Sequence, residues 1–211
     1  MLVSAGLKGQ IVHLFQILIA GERLAQECAH WQATLAPDRK IRRFLATQAK
    51  QEGQHARIFQ DAVSVIDPRA NTFDSPALSG INHFRKRLFA DLDSGNLVGS
   101  MIGMQAVFEG MGTAVLKEMD RALNRHGDRH AQVRRTLLHQ EEAHHAFGLR
   151  TLEQLCAAER VAPPLLISSG SDYLELSGGI LTACAELFQS FGTDSWRYQP
   201  ELPLWLTAGD R

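Results

Sequence analysis

The chain has 211 residues, of which 45% are hydrophobic and 21% are charged, a balance typical of a soluble globular protein with a sizeable core. Its 22 Lys and Arg residues nearly equal its 23 Asp and Glu residues, and the formal net charge is -1. A charge this close to zero provides no basic field to collect nucleic acid or anionic lipid, so we expect neither as a partner.

Helical periodicity dominates the sequence, and stretches that alternate like strands are scarce. The predicted helices span, in chain order, about 7–35, 37 or 38 to 65, 81–91, 96–125, 129–160 and 171–191. Prolines set several of these limits, because the residue before a proline resists helical geometry. Pro37 and Pro68 flank the second helix, and the proline pair at 163–164 ends the fifth. Residues 67–80 are predicted to form a linker, and the tail from Thr193 is predicted to be irregular.

Targeting signals are scarce as well. The apolar stretch 11–20 is interrupted by His13 and Gln16, and we predict a buried helix there, not a signal peptide. No run approaches the ~20 apolar residues that a membrane span requires. Three widely spaced cysteines form no Cys-x-x-Cys pair, which predicts a reducing compartment and no thiolate metal site. We therefore expect a cytoplasmic protein with no membrane span.

The order of the helices predicts the fold class. Two long helices, a long connection and two further long helices are typical of a bundle with one crossover, as in ferritin-like folds. We expect an all-α, ferritin-like four-helix bundle with a long crossover between its second and third helices, plus extra short and C-terminal helices. The bundle would occupy about residues 7–160 of a single domain over 1–211, followed by a C-terminal helix and tail over 165–211. The apolar last helix suits either a cap on the bundle or the seam of a homodimer.

Four Glu-x-x-His pairs in the sequence are candidate metal-binding motifs. A Glu and a His three residues apart lie on one helix face, where both can reach a single metal ion. The pairs are Glu27/His30, Glu52/His55, Glu141/His144 and Glu142/His145. Because about half a match is expected by chance for so short a motif, the context of each pair has to select among them.

A di-iron centre in a four-helix bundle takes one Glu from each of two helices and Glu-x-x-His from each of the other two. The ligands predicted on this basis are Glu22, Glu52, His55, Glu109, Glu141 and His144. The last three repeat the first three in the same order, at offsets of 87, 89 and 89 residues. This repetition indicates two related helical hairpins. Glu27 and His30 would put a second pair on the first helix, beside Arg23, and are predicted to be ordinary surface residues.

The fourth ligand helix leaves two pairs open. The stripe of Glu142 and His145 also carries Leu138, Leu149 and Leu152, whereas the face of Glu141 and His144 also carries Leu137, Gly148 and Leu155. Periodicity alone slightly favours Glu142 and His145. We keep that pair as the alternate ligands.

Apolar residues share the helix faces of the predicted glutamate ligands, so these carboxylates are expected to be buried. Removing a carboxylate from water costs several kcal/mol, and four such groups in one core would exceed the ~5–15 kcal/mol stability of a typical domain. Two divalent cations would balance four carboxylates. Because carboxylate and imidazole ligands suit iron or manganese, the predicted cofactor is two iron ions, with a Mn/Fe pair as the alternative.

The residues around these ligands resemble the cyanobacterial aldehyde-deformylating oxygenases of the ferritin-like di-iron carboxylate superfamily. The resemblance is carried by Gly21-Glu22, by Pro37 fifteen residues later, by Glu52-Gly53-Gln54-His55, by MQAVFEGMGTAV around Glu109 and by EEAHHAFG at 141–148. It covers about residues 7–155 and favours Glu141 and His144 over the alternate pair. It implies a di-iron centre that binds O2 and oxidises a bound substrate with electrons from a separate reductase or ferredoxin.

We therefore expect a non-haem di-iron oxidase or oxygenase that activates O2 to oxidise a small or hydrophobic organic substrate. The Met- and Gly-rich third bundle helix suits an apolar tunnel and loose core filling equally well. Alternatives within the fold are a ferroxidase or iron-storage protein and a rubrerythrin-like peroxidase, although the chain has no Cys-x-x-Cys module of its own. The non-enzymatic alternative is a metal-free helical interaction module.

Overall fold

The computed structural model describes residues 5–70, 74–124, 131–159 and 161–207. Its helices are α1 (Ala5–Leu35), α2 (Arg39–Ile66), α3 (Pro76–Asp93), α4 (Leu97–Met101), α5 (Glu109–Asn124), α6 (Ala131–Glu159), α7 (Pro163–Ala183), α8 (Ala185–Ser190) and α9 (Leu204–Thr207). A π-helical segment, Ile102–Phe108, joins α4 to α5, and a 3-10 turn spans Ser195–Tyr198. No strand occurs in these four ranges, and the predicted all-α class is confirmed. None of the described helices combines the length and apolar character needed to cross a membrane.

The first two predicted helices are confirmed as α1 and α2. The start of α2 follows from its cap, because the Asp38 carboxylate accepts hydrogen bonds from the N–H groups of Lys40 and Ile41 at 2.7 and 2.9 Å. A helix start leaves such N–H groups without backbone partners, and an aspartate at this position satisfies them. Pro37 therefore lies outside the helix.

The short helix predicted over 81–91 is longer in the structure. It is α3, which begins at Pro76 and ends at Asp93. Pro76 occupies the first helical position, where its missing N–H costs nothing and its fixed φ suits the helix. The hydroxyl of Ser75 accepts a hydrogen bond from the N–H of Leu78 at 3.3 Å. The proline and serine that predicted a linker as far as residue 80 thus start a helix inside it.

The C-terminal helices also begin earlier than predicted. The proline pair at 163–164 starts α7, so the predicted start at residue 171 is wrong. The predicted helix over 171–191 is interrupted at Cys184 and continues as α8. The tail from Thr193, predicted to be irregular, contains the 3-10 turn and α9. Residues 125, 129, 130 and 160, at the ends of two predicted helices, lie outside the described residues.

The described residues fall into two compact units. The first unit takes those within Met1–Arg87 and Gly178–Trp196, and the second takes those within Leu88–Ser177 and Arg197–Arg211. α3 and α7 contribute residues to both units. The single domain over 1–211 stays a prediction.

In the first unit, α1 and α2 pack along each other. The buried face of α2 consists of Ile41, Leu45, Gln48, Ala49, Glu52, Gly53, His55, Ala56, Phe59 and Val63. Phe59 stacks on Phe15 of α1 with ring centroids 5.6 Å apart, which anchors one end of the hairpin through aromatic packing. Glu52 and His55 are ionisable groups on an otherwise largely apolar face, and their burial needs compensation.

In the second unit, a buried hydrogen-bond network fixes the start of the α4–π–α5 element. Tyr173 of α7 is fully buried, and its hydroxyl donates to Oδ2 of Asp91 at 2.6 Å. Asn96 donates to Oδ1 of the same carboxylate at 3.0 Å and accepts from the N–H of Gly99 at 2.9 Å, which caps α4. A Cβ added at Gly103 would lie 2.5 Å from the Tyr173 ring. The π segment therefore packs directly on this ring.

The three cysteines, Cys28, Cys156 and Cys184, are buried and free of disulfides. Burial raises the pKa of the Cys184 thiol to about 11. At neutral pH this thiol stays protonated, and a protonated thiol is a poor metal ligand because the thiolate is the binding form.

Candidate metal centre

The first group of predicted ligands joins α1 to α2. Glu22, Glu52 and His55 each offer a ligand atom, and these atoms lie within 4.8 Å of one another. Nδ1 of His55 lies 3.1 Å from Oε2 of Glu52 and 3.4 Å from Oε2 of Glu22. The three-residue spacing puts Glu52 and His55 on one helix face, and the packing of α1 on α2 brings Glu22 to them. We call these residues the N-terminal triad.

The side chains of the N-terminal triad are buried. The exposed fraction is 0% for Glu52, 1% for His55 and 8% for Glu22. Nε2 of Gln48 donates a hydrogen bond to Oε1 of Glu52 at 3.0 Å, which orients the carboxylate. Buried carboxylates require a positive charge and well-placed hydrogen bonds to be stable, and this triad contains two of them.

The second group joins α5 to α6. Glu109, Glu141 and His144 each offer a ligand atom, again within 4.8 Å of one another. Nδ1 of His144 lies 3.9 Å from Oε2 of Glu141. All three residues are buried, with exposed fractions of 4%, 4% and 1% in that order. We call them the C-terminal triad.

The two triads present the same donor set, two carboxylates and one imidazole. Oxygen and imidazole donors without thiolate suit iron and manganese. One divalent cation would neutralise the two carboxylates of a triad. By donor chemistry and by charge, each triad therefore fits one ion of this kind.

The alternate pair on α6 makes other contacts. Glu142 is exposed, and its Oε1 lies 2.9 Å from Nζ of Lys117. His145 is half-buried, and its Nδ1 lies 2.7 Å from the carbonyl oxygen of Gln105. Burial lowers the pKa of His145, against the Gln105 hydrogen bond that raises it, and Lys117 lowers it further. The buried residues in the described part of α6 are Leu137, Glu141, His144, Gly148, Thr151, Leu152, Leu155 and Cys156.

The pair Glu27/His30 lies on the surface, and the prediction made for it is confirmed. Both residues are exposed, and the Glu27 carboxylate pairs with the guanidinium of Arg85 on α3. A Glu-x-x-His spacing alone therefore does not identify ligands in this chain. The matched spacing makes this pair a natural control for experiments on the triads.

The π segment before Glu109 is a feature that the sequence does not predict. The N–H of Glu109 donates to the carbonyl of Met104, five residues earlier, whereas in an α-helix it would donate to Gln105. π turns within α-helices occur frequently at functional sites. No residue type in 102–108 distinguishes a π turn from an α turn, so pattern analysis predicted one continuous helix.

Close helix packing beside each triad depends on a glycine. A Cβ at Gly148, one turn after His144, would lie 2.4 Å from Cβ of Gln105. A Cβ at Gly53, next to Glu52, would lie 2.6 Å from Nε2 of Gln26. Gly53 thus makes room for Gln26 of α1, the helix that carries Glu22, and Gly148 makes room for Gln105 of the π segment that precedes Glu109.

Gly148→Ala is expected to destabilise the protein. The clash involves Cβ of Gln105, not the end of a flexible side chain, so the backbone of α6 must shift. Overpacking of this kind costs about 1–3 kcal/mol, which corresponds to a fall of roughly 2–12 °C in Tm for a chain of this size. Scanning calorimetry measures this change in Tm. Gly112→Ala on α5 is the matched control, because its Cβ meets nothing within 4 Å and a helical alanine should raise Tm slightly. Equal Tm changes in the two variants would contradict the close packing.

Neither a protein-family model nor a curated protein matches the sequence. A solved structure described as a protein with aldehyde deformylating oxidase activity from Synechococcus superposes on 92% of this chain and 85% of its own, with a TM-score of 0.72 and 17% identity. The chain has a ferritin-like helical fold. The predicted fold class is thereby confirmed. Within the described residues, α1 and α2 carry the N-terminal triad, and α5 and α6 carry the C-terminal triad.

Proposed function

We propose that each triad holds one iron ion and that the protein is a di-iron oxidase or oxygenase. In this proposal it uses O2 to oxidise a small or hydrophobic organic substrate. The observation that carries the proposal is the repeated, buried donor set. Each triad combines a single Glu from one helix with a Glu-x-x-His pair from the next, which is the ligand set of di-iron carboxylate proteins.

Charge balance supports two ions. Four carboxylates are at most 8% exposed, and two divalent cations neutralise them. A Mn/Fe pair would satisfy the same donors, and the di-iron precedent of the fold favours iron.

Two bound ferrous ions would supply electrons for O2 reduction and open coordination positions for O2. The chain's own contribution is to hold the ions and to exclude bulk water. Its hydrogen bond from Gln48 to Glu52 fixes the direction of one ligand carboxylate, as outer partners of metal ligands commonly do. Continued turnover requires electrons from outside, and we propose an external donor such as a ferredoxin or a reductase. The cytoplasmic location and the homodimer stay predictions.

An apolar substrate is compatible with the surroundings of Glu109. The residues that precede it are fully buried and largely apolar, and they include Met101, Ile102, Met104, Ala106 and Val107. Flexible methionines adapt to irregular apolar ligands. Because the description of the similar solved structure names aldehyde deformylation, medium- and long-chain aldehydes are the first substrates to assay.

Metal analysis and O2 uptake test this proposal. Protein purified from iron-supplemented cells should contain about two iron atoms per chain, and it should consume O2 only when both a reductant and an organic substrate are present. Protein that holds no iron would refute the proposal. Iron accumulating far beyond two per chain inside a large shell would indicate storage instead, and reduction of H2O2 without an organic substrate would indicate a peroxidase.

A further inference from the structure

The carbonyl of Gln105 has an unusual partner. In the π register the N–H of Glu109 bonds to Met104, so it is withdrawn from Gln105, its partner in an α-helix. Gln105 is fully buried, and a buried carbonyl without a donor is costly. The donor here comes from another helix, because Nδ1 of His145 lies 2.7 Å from this oxygen.

The geometry assigns the proton of the His145 ring. A backbone carbonyl can only accept, so Nδ1 must carry the hydrogen. The backbone of α5 also lies close to this ring, since a Cβ at Gly110 would lie only 3.2 Å from its Cε1. The ring of His145 therefore lies beside the start of α5 as well as against the π segment.

We propose that His145 is a positioning residue that stabilises the π register and thereby sets the direction in which Glu109 presents its carboxylate. One more residue in a helical turn rotates everything that follows by about 100° relative to what precedes it. Glu109 is the first residue after the π segment, so its direction depends directly on this register. His145 also follows His144 on α6, and its hydrogen bond fixes the C-terminal triad across two helices. The effect on metal binding by Glu109 rests on the proposed function, whereas the stabilisation of the π register by His145 does not.

Two measurements on purified full-length protein test the proposal. The first is amide hydrogen exchange of the segment 102–112 in metal-free protein. The second is titration of the metal-free protein with CoCl2, followed by the visible absorption bands of bound Co(II). His145→Phe keeps a ring but has no donor, and we expect about tenfold faster exchange of the segment and about 10- to 100-fold weaker Co(II) binding with altered bands.

The variant His145→Asn supplies the rescue, because its Nδ2–H lies where Nδ1–H of histidine lies. It should recover most of the slow exchange and of the Co(II) affinity. Glu142→Gln, the exposed neighbour that pairs with Lys117, should behave as wild type. Should His145→Phe fail to fold, Gly110→Ala presses on the ring without removing it and should show the same two effects more weakly.

The outcomes separate the inference from the proposed function. Faster exchange with unchanged Co(II) affinity and bands would make His145 a structural residue only and would overturn the positioning role. Unchanged exchange would overturn the stabilisation of the π register itself. A wild-type protein that binds no Co(II) would refute the metal site, and the positioning role with it, while the exchange data alone would still measure the hydrogen bond.

Discussion

The double substitution Glu52→Ala with His55→Ala is expected to lower the iron content from about two ions per chain to one or none. It should also lower substrate-dependent O2 uptake by more than about a hundredfold, because loss of outer partners of metal ligands alone costs 10- to 100-fold. The physical reason is the donor count. The N-terminal triad would retain only Glu22, and one carboxylate does not hold a divalent ion against water. Iron analysis and an O2 electrode measure the two effects.

The matched control is Glu27→Ala with His30→Ala. This pair has the same three-residue spacing, but both residues are exposed and Glu27 pairs with Arg85. Iron content and O2 uptake should remain at wild-type values. Since an exposed ion pair contributes little to stability, Tm should change little as well. Iron loss in the control, or iron retention in the Glu52/His55 variant, would contradict the assignment of the N-terminal triad.

Much of the fold could be predicted because long amphipathic helices require apolar residues at a regular spacing in the sequence. α1, α2 and α6 follow apolar spacing and capping or proline signals, and these depend on local chemistry alone. The same local rules misassigned two helix starts. These rules predict a linker around Pro76 and a helix end at Pro163, whereas both prolines occupy the first turn of a helix. A proline is compatible with either position, and only tertiary packing decides between them.

Most candidate ligands follow from the order of Glu and Glu-x-x-His along the predicted helices, but the choice of Glu141 and His144 rests on the family resemblance, because the alternate pair has the same donors. On α6 the leucine stripe slightly favoured Glu142, but that residue is exposed, and Glu141 and His144 are buried. The π segment could not be predicted, since its register is a property of backbone hydrogen bonds. The positioning role that we propose for His145 depends on that register, so the sequence does not predict it either.

Removal of the metal is expected to lower Tm, and Glu109→Gln should reduce this dependence, because the N-terminal triad keeps its ligands. Free metal at about 100 times its Kd adds about 2.7 kcal/mol to the stability, which corresponds to roughly 5–11 °C for a chain of this size. Glu109→Gln keeps the side-chain shape but loses a charged ligand. Scanning calorimetry with EDTA and with excess Co(II) measures Tm in both states of both proteins.

Glu109→Gln should change Tm in opposite directions in EDTA and in excess metal. In metal-free protein, the carboxylates of Glu109 and Glu141 repel each other. With both groups ionised and their ligand atoms at most 4.8 Å apart, an effective dielectric constant of about 20 makes that repulsion at least about 3.5 kcal/mol. Glu109→Gln should therefore melt above wild type in EDTA and below it in excess metal. Glu118→Gln, on the same helix and paired with Arg121 at the surface, should show no such crossing. A variant at Glu109 that melts below wild type in both conditions would indicate that its carboxylate is held by the protein's own hydrogen bonds, and not by a metal ion.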